Sequence, residues 1–186
     1  MNFNPHYGLQ GKHAFLGASK YHWINYDRSK IADAYKKHLA VQRGTDLHDL
    51  ACRCIKLGVK LPRNKQTLNA YVNDAIGYRM IPEQILYYSD NCFGTADAIS
   101  FNNNVLRIHD LKTGMTVAHM EQLYIYAALF CLEYDIDPNS MDDIELRIYQ
   151  MDEILADHPD PEDLLYLMEK IIVFDRDIET IKMEES

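Results

Sequence analysis

Residues 92–114 have the sequence CFGTADAISFNNNVLRIHDLKTG, and the predicted fold is built around this stretch. Apolar and polar residues alternate on both sides of three consecutive asparagines, Asn102–Asn104, as they do in two paired strands. Asparagine tolerates the positive φ of a tight turn, so these residues suit the connection. We predict a β-hairpin with Asp97 on its first strand and Asp110 and Lys112 on its second.

The second strand of this hairpin carries a candidate catalytic group. Successive side chains of a strand alternate between faces, so Asp110 and Lys112 share one face while His109 and Leu111 share the other. Two carboxylates and a lysine that converge at the end of a sheet can hold a divalent metal ion and activate a water molecule. The residues Asp110-Leu111-Lys112 form the only [Asp/Glu]-x-Lys sequence in the chain. The alternative is a surface ion pair of little energetic weight.

The segments around the hairpin predict an α/β fold with a mixed central sheet of about four strands flanked by helices. Strands are predicted over 82–89 and 143–150 in addition to the hairpin. Helices are predicted over 29–44, 45–58, 67–80, 117–134 and 160–182, with Gly44 and Gly58 as helix ends and Ser19 as the N-cap of an earlier helix.

The length of the chain predicts a single domain over residues 1–186. Its helical, basic N-terminal part is expected over 1–80, the catalytic sheet and core helix over 81–155, and the C-terminal helix over 160–182. Residues 1–80 carry 13 Lys and Arg against 5 Asp and Glu, whereas residues 81–186 carry 6 against 23. Such asymmetry suits a polyanion-facing side, although a solvated acidic surface beside an ordinary basic one would look the same.

The composition also bounds the location of the protein. No apolar run approaches the roughly 20 residues of a membrane span, and the N-terminus has no apolar segment of a secretory signal, so we expect no membrane contact and a cytoplasmic protein. The four cysteines form no C-x-x-C pair. Reduced thiols are the simplest account of them, and a zinc or iron–sulfur site is not expected.

Four residues outside the hairpin are further candidates. His48 lies on the apolar face of its predicted helix, where a histidine is more often a hydrogen-bonded core residue than a metal ligand. Glu83 stands at the start of the first predicted strand, and its alternative role is a solvated strand end. Gln122 and Tyr126 are four residues apart and share a stripe of one helix.

Five segments resemble, in order, the motifs of the PD-(D/E)XK nuclease superfamily. The branch they resemble is that of RecB-like exonucleases, which includes lambda-type phage exonucleases and CRISPR-associated adaptation nucleases. The segments are LGASKY with Ser19, GTDLH with His48, GTADAI with Asp97, HDLKTG with Asp110 and Lys112, and EQLYIYA with Gln122 and Tyr126. They span residues 16–131, and residues 144–150 resemble the closing strand of the restriction-endonuclease-like core.

The resemblance implies roles for these residues. His48, Asp97, Asp110 and the carbonyl of Leu111 would hold one or two Mg²⁺ or Mn²⁺ ions, and Lys112 would assist the attacking water. Gln122 and Tyr126 would line the site near the scissile phosphate, Ser19 would belong to the substrate-binding residues, and Glu83 would add a further acidic group. The four-cysteine cluster of some relatives and the G-x-x-x-x-G-K-[ST] sequence of a helicase motor are both missing, which suggests a free-standing module without an iron–sulfur cluster.

The implied function is hydrolysis of DNA phosphodiester bonds by a metal-activated water, with exonuclease favoured over endonuclease. Such modules serve phages in recombination or genome processing, so the expected location is then the host cytoplasm, with a recombination or replication protein as a possible partner. Because the net charge is −9, a homo-oligomer that gathers basic faces around DNA fits better than a monomer. Two alternatives remain open: a DNA-binding or assembly protein without turnover, and an RNA endonuclease with similar site chemistry.

Overall fold

A computed structural model describes residues 7–9, 14–116 and 118–185 of the chain. The chain divides into two compact units, Met1–Thr45 and Asp46–Ser186. The whole sheet belongs to the second unit. The expectation of one nuclease domain over 1–186 stays a prediction.

The first unit contains 3₁₀ segments at Tyr7–Leu9 and Ala18–Asn25 and the greater part of a long helix. Trp23 Nε1 donates a hydrogen bond to the carbonyl of Gly17 at 3.1 Å. Gly17 occupies the N-cap position of the second segment with extended φ and ψ, and no side chain caps it. The prediction of Ser19 as an N-cap is therefore wrong, because the segment begins at Ala18, two residues before the predicted start, and contains Ser19.

Helix α1, Arg28–Leu57, is continuous through Gly44. The predicted break there is wrong: glycine costs a helix interior about 1 kcal/mol, which a helix of 30 residues tolerates. The helix ends as predicted before Gly58, whose φ of 67° is the left-handed conformation that terminates helices. Helix α2, Thr67–Gly77, follows a linker. The side chain of Asn69 hydrogen-bonds to the backbone of Pro62 in this linker, and that of Asn73 to the backbone of Leu61.

Five strands form one sheet in the order β1-β2-β3-β4-β5. Their bounds are β1 Ile81–Ser89, β2 Cys92–Asn102, β3 Val105–Lys112, β4 Asp143–Gln150 and β5 Glu153–Asp157. Strands β3 and β4 are parallel and the other pairs antiparallel, so the sheet is mixed as predicted. The count of about four strands was one too low, because the edge strand β5 is short and mostly exposed.

Each face of the sheet is covered by different helices. Helices α3, Glu121–Tyr134, and α4, Pro161–Glu184, pack on one face around a core that includes Ile108 and Leu146. Helix α2 and the last turns of α1 pack on the other face around a core that includes Leu111 and Tyr149. The protein is therefore an α/β structure with helices on both faces.

The alternation of side chains changes at Asp97. Ala96 packs with the α3 side and Ala98 with the α2 side, although residues two apart on a strand normally share a face. Opposite this point, Glu83 of β1 has a φ of 54° and is missing from an otherwise continuous pairing of Pro82 with Ala98 and Gln84 with Ala96. Glu83 of β1 and Asp97 of β2 therefore lie opposite each other where the backbone is irregular.

No helix among the described residues is long and apolar enough to cross a membrane. All four cysteines are free thiols, as expected: Cys54 and Cys131 are buried, and Cys52 and Cys92 are half-buried.

Candidate functional site

Three potential metal ligands converge where the strand alternation changes. One ligand atom from each of His48, Glu83 and Asp97 lies within 4.8 Å of the other two. His48 comes from α1, on the helix face that also buries Ala51 and Ile55, while the two carboxylates come from neighbouring positions of β1 and β2. Nδ1 of His48 is 3.5 Å from Oδ2 of Asp97. With Asp110 this group is called the Asp97 cluster below.

The Asp97 carboxylate is largely buried and has other carboxylates nearby. Burial first, and then the neighbouring charge of Asp110, raise its pKa from 3.8 to about 6, and Glu83 adds to the rise. A hydrogen bond of 2.9 Å from the backbone N–H of Leu111 and the proximity of His48 act in the opposite direction without cancelling it. The bond from Leu111 also fixes the orientation of the carboxylate. A cation beside this carboxylate would favour its ionised form and lower its pKa.

Asp110 and Lys112 share a face of β3, as predicted from the strand geometry. Lys112 Nζ lies 3.0 Å from each oxygen of the buried Asp110 carboxylate. The same ammonium donates to Oε1 of Gln122 at 2.9 Å, and Nε2 of Gln122 donates to the hydroxyl of Tyr126 at 3.1 Å. These contacts connect β3 with α3 and hold the lysine at one position.

Gly94 on β2 provides the surface on which Tyr126 lies. A Cβ atom added to Gly94 would stand 2.8 Å from Cε1 of Tyr126, closer than real contacts allow. Glycine is therefore required there by the close approach of the ring rather than by a special φ.

Tyr71 was also missed by sequence reasoning. Its side chain is buried, and burial first, followed by the charges of the Asp97 cluster, raises its pKa, so it stays protonated.

A second buried group, the Glu145 cluster, lies under α2 and consists of Arg107, His109, Glu145 and Arg147. Nε of Arg147 is 2.6 Å and Nε of Arg107 3.5 Å from the Glu145 carboxylate. The imidazole of His109 first, and then the guanidinium groups, lower the pKa of Glu145 to about 2, while burial lowers that of His109. Asp74 lies 3.4 Å from Nη1 of Arg147 and adds a second carboxylate, so two carboxylates balance the two guanidinium groups.

The loop between β3 and α3 is fixed by Gln150 at the end of β4. Its Nε2 donates to the carbonyls of Gly114 and Thr116, both at 2.7 Å, and its Oε1 accepts from the N–H of Ala118 at 3.2 Å. One side chain thus anchors three backbone groups of the segment that follows Lys112. No sequence motif marked Gln150 for this role.

The structure brings together most of the residues named from the sequence. His48, Glu83 and Asp97 form the ligand group, and Asp110, Lys112, Gln122 and Tyr126 form the adjoining chain of contacts. Asp110 lies outside the ligand group, with its carboxylate held by Lys112. Leu111 contributes its N–H to Asp97, whereas its predicted carbonyl ligand stays a prediction. Ser19 belongs to the first unit, so its predicted role also stays a prediction.

A family model matches residues 75–176, more than half of the chain, and its description is "Protein of unknown function (DUF2800)". The chain belongs to the DUF2800 family. The matched part of this DUF2800 protein contains the whole sheet and all the candidate residues except His48 and Ser19. No curated protein and no solved structure matches the chain.

Proposed function

We propose that this DUF2800 protein is a metal-dependent deoxyribonuclease that hydrolyses phosphodiester bonds, with exonuclease action favoured by the resemblance to RecB-like enzymes. The observation that carries the proposal is the convergence of His48, Glu83 and Asp97 beside the pair of Asp110 and Lys112. Two separate parts of the chain, α1 and the sheet, supply these groups.

The donor set fits a divalent cation. It offers one imidazole nitrogen and two carboxylates, and burial and then the charge of Asp110 raise the pKa of Asp97, which supports a place for a cation. Carboxylates suit Mg²⁺ and Mn²⁺, and the imidazole nitrogen favours Mn²⁺ of the two. A cation held there would acidify a water molecule and polarise a phosphoryl oxygen.

The chain's own residues have distinct roles in this proposal. His48, Glu83 and Asp97 would hold the one or two cations, and Asp110 adds negative charge nearby. Lys112 offsets the negative charge that develops on the phosphoryl oxygens during hydrolysis.

The contacts that hold Lys112 explain how it would be positioned for this role. The ammonium of Lys112 donates one hydrogen bond to the carboxylate of Asp110 and another to Oε1 of Gln122. Tyr126 in turn orients Gln122 through the bond to its amide. A lysine fixed in this way loses little freedom when substrate binds, so its charge is available at a defined place.

Partners and location follow from the same proposal. The substrate is DNA, bound with the help of the basic N-terminal part, and a homo-oligomer would enlarge that basic surface. A recombination or replication protein is the proposed partner, and the cytoplasm, or the host cytoplasm of a phage, is the proposed location. A DNA-binding protein without turnover and an RNA endonuclease are the alternatives that the experiment separates.

The experiment measures cleavage and metal binding in the same set of proteins. End-labelled linear DNA, circular DNA and RNA are incubated with Mn²⁺, Mg²⁺ or a chelator, and Mn²⁺ binding is followed by calorimetry. We expect metal-dependent release of nucleotides from linear DNA. Asp97→Asn should lose Mn²⁺ affinity by at least about 100-fold, since changes outside the ligand shell already cost 10- to 100-fold.

Lys112→Met separates binding from chemistry. It should keep Mn²⁺ affinity within a few-fold and lower cleavage about 10²- to 10³-fold, the usual cost of losing one group that stabilises developing charge. Lys170→Met on α4 is the matched control and should cleave like the wild type. Mn²⁺ binding and DNA binding without cleavage of any substrate would favour the non-catalytic protein, and preference for RNA would favour the RNA endonuclease.

A further inference from the structure

An apolar cleft of about 450 Å³ opens directly beside Lys112. This volume is within the range of small-molecule sites. Leucine and methionine side chains supply much of its apolar wall, and two threonines, a lysine and an aspartate also line it. The cleft is lined by Leu47, Thr67, Leu68, Leu111, Lys112, Thr113, Gly114, Met115, Met151 and Asp152.

A phosphate group suits only the Lys112 end of this cleft. Lys112 is the one cation of the lining, whereas Asp152 carries a negative charge and much of the remaining wall is leucine and methionine. A phosphate inside the cleft would meet that carboxylate and several apolar walls, both unfavourable for an anion. The occupant should therefore present a flat or apolar face.

The backbone at or beside two methionines of this cleft is constrained. Met115 is 83% exposed and stands between the two carbonyls, of Gly114 and Thr116, that Gln150 anchors. Met151 has a φ of 49° and Asp152 one of 61°, so both residues of the β4–β5 turn are left-handed. Such two-residue turns strongly prefer Asn and Gly, and a methionine there costs conformational energy. A strained residue at a cleft beside a candidate site is a sign of function.

We propose that this cleft receives one nucleobase of an unpaired DNA strand while the adjoining phosphate lies at Lys112. The inference rests on the nuclease function proposed above and names its substrate class. Bases of an intact duplex are stacked and paired, so only a single-stranded or frayed end can place a base in a side cleft. Methionine sulfur makes favourable contacts with aromatic rings and adapts to different bases, which suits cleavage without sequence preference.

The test uses oligonucleotides in which one nucleotide at a time lacks its base. For the wild type we expect single-stranded DNA to be cut faster than blunt duplex. One abasic position near the cleaved bond should lower kcat/KM by roughly 3- to 30-fold, and the same lesion farther away should have little effect. Met115→Ala and Met151→Ala should each lower kcat/KM on intact DNA by roughly 2- to 10-fold. On DNA with the critical base missing, both variants should approach the wild type.

Met183→Ala on α4 is the matched control, because this methionine is 78% exposed and lies outside the cleft. It should respond to the abasic position as the wild type does. Met151→Gly adds a second readout: relief of the left-handed turn should raise Tm by about 2 to 4 °C, while sensitivity to the missing base falls. A purely structural methionine would not combine gained stability with lost base dependence.

The outcomes separate this inference from the function beneath it. If the wild type cuts no DNA, the proposed nuclease function fails. If it cuts DNA but no single missing base changes kcat/KM, or if both methionine variants keep the wild-type response, the cleft inference is wrong and the nuclease function stands. Faster cutting of blunt duplex than of single strands would also overturn the inference.

Discussion

The Asp97 cluster and the Glu145 cluster contain similar groups in opposite electrostatic states. Each has a histidine and at least one carboxylate largely withdrawn from water. The imidazole of His109 and then two arginines lower the pKa of Glu145 to about 2, whereas burial and then a neighbouring carboxylate raise the pKa of Asp97 to about 6. The Asp97 cluster has three carboxylates and no lysine or arginine among its four residues, whereas the Glu145 cluster has two arginines.

This difference separates a structural polar network from a candidate binding site. Buried charges normally occur with partners, and an arrangement that satisfies its own charges has no need of a ligand. A buried carboxylate whose pKa is raised is typical of functional sites, where an external cation or substrate can supply positive charge. Histidine and acid composition alone would not have distinguished the two clusters.

The largest effect on stability should come from unbalancing the Glu145 cluster. Arg147→Met leaves the Glu145 carboxylate with less compensation in a buried place, and such losses typically cost about 3–5 kcal/mol. Urea unfolding should therefore show the free energy of unfolding lowered by about 3 kcal/mol. Arg176→Met, on the exposed side of α4, is the control and should change it by less than about 0.5 kcal/mol. A change below about 1 kcal/mol in Arg147→Met would mean that the cluster is not a stabilising network.

A substitution in the Asp97 cluster should have the opposite sign. Asp97→Asn removes a carboxylate whose ionised form is disfavoured in the folded state, so the variant should be more stable than the wild type in chelator at pH 8. A shift from 3.8 to about 6 corresponds to about 3 kcal/mol, and partial contact with water reduces the expected gain to about 1–3 kcal/mol.

The pH dependence of this gain follows from linkage. Below about pH 4 Asp97 is protonated in the folded and unfolded states, and its charge does not affect stability. As pH rises through about 4 to 6 the unfolded state ionises first, so the wild type loses stability relative to Asp97→Asn, and the difference is constant above that range. Unfolding curves of both proteins from pH 3.5 to 8 measure it. A difference that is constant over the whole range would contradict the charge deficit at Asp97.

The smallest effect concerns the backbone at Glu83. Its φ of 54° costs a non-glycine residue about 1 kcal/mol or more, so Glu83→Gly should raise the free energy of unfolding in chelator by about 1 kcal/mol. Glu83→Gln corrects for the lost charge. Gln84→Gly is the matched control at a paired position of the same strand and should destabilise by about 0.5–1 kcal/mol. Destabilisation by both glycines would show that Glu83 is not strained.

The sequence predicted the parts of the fold that depend on local pattern. Alternation placed the hairpin and put Asp110 and Lys112 on one face, and the turn at Asn102–Asn104 has left-handed φ at its last two residues. Gly44 misled the helix prediction because a long helix absorbs the cost of one glycine. Strand β5 was missed because an exposed edge strand carries little hydrophobic pattern.

The site was predictable only in part, for the same reason. The D-x-K sequence and the resemblance named the residues that meet, but not how the backbone brings them together. Glu83 is left-handed at the one point between Pro82 and Gln84 where β1 does not pair with β2, and a glutamate gives no local signal of it. Tyr71 reads as one more core residue of α2, and the role of Gln150 depends on a loop more than 30 residues earlier in the chain.

The contact between Gly94 and Tyr126 has a consequence for how such a site can vary. A Cβ atom at residue 94 would already be too close to the Tyr126 ring, so the spacing of β2 and α3 at this point depends on the absence of a side chain. Enlarging residue 94 would push the ring outward, and the displacement would pass through the amide of Gln122 to the ammonium of Lys112. The placement of the lysine thus depends on the smallest residue of β2, eighteen positions earlier in the chain.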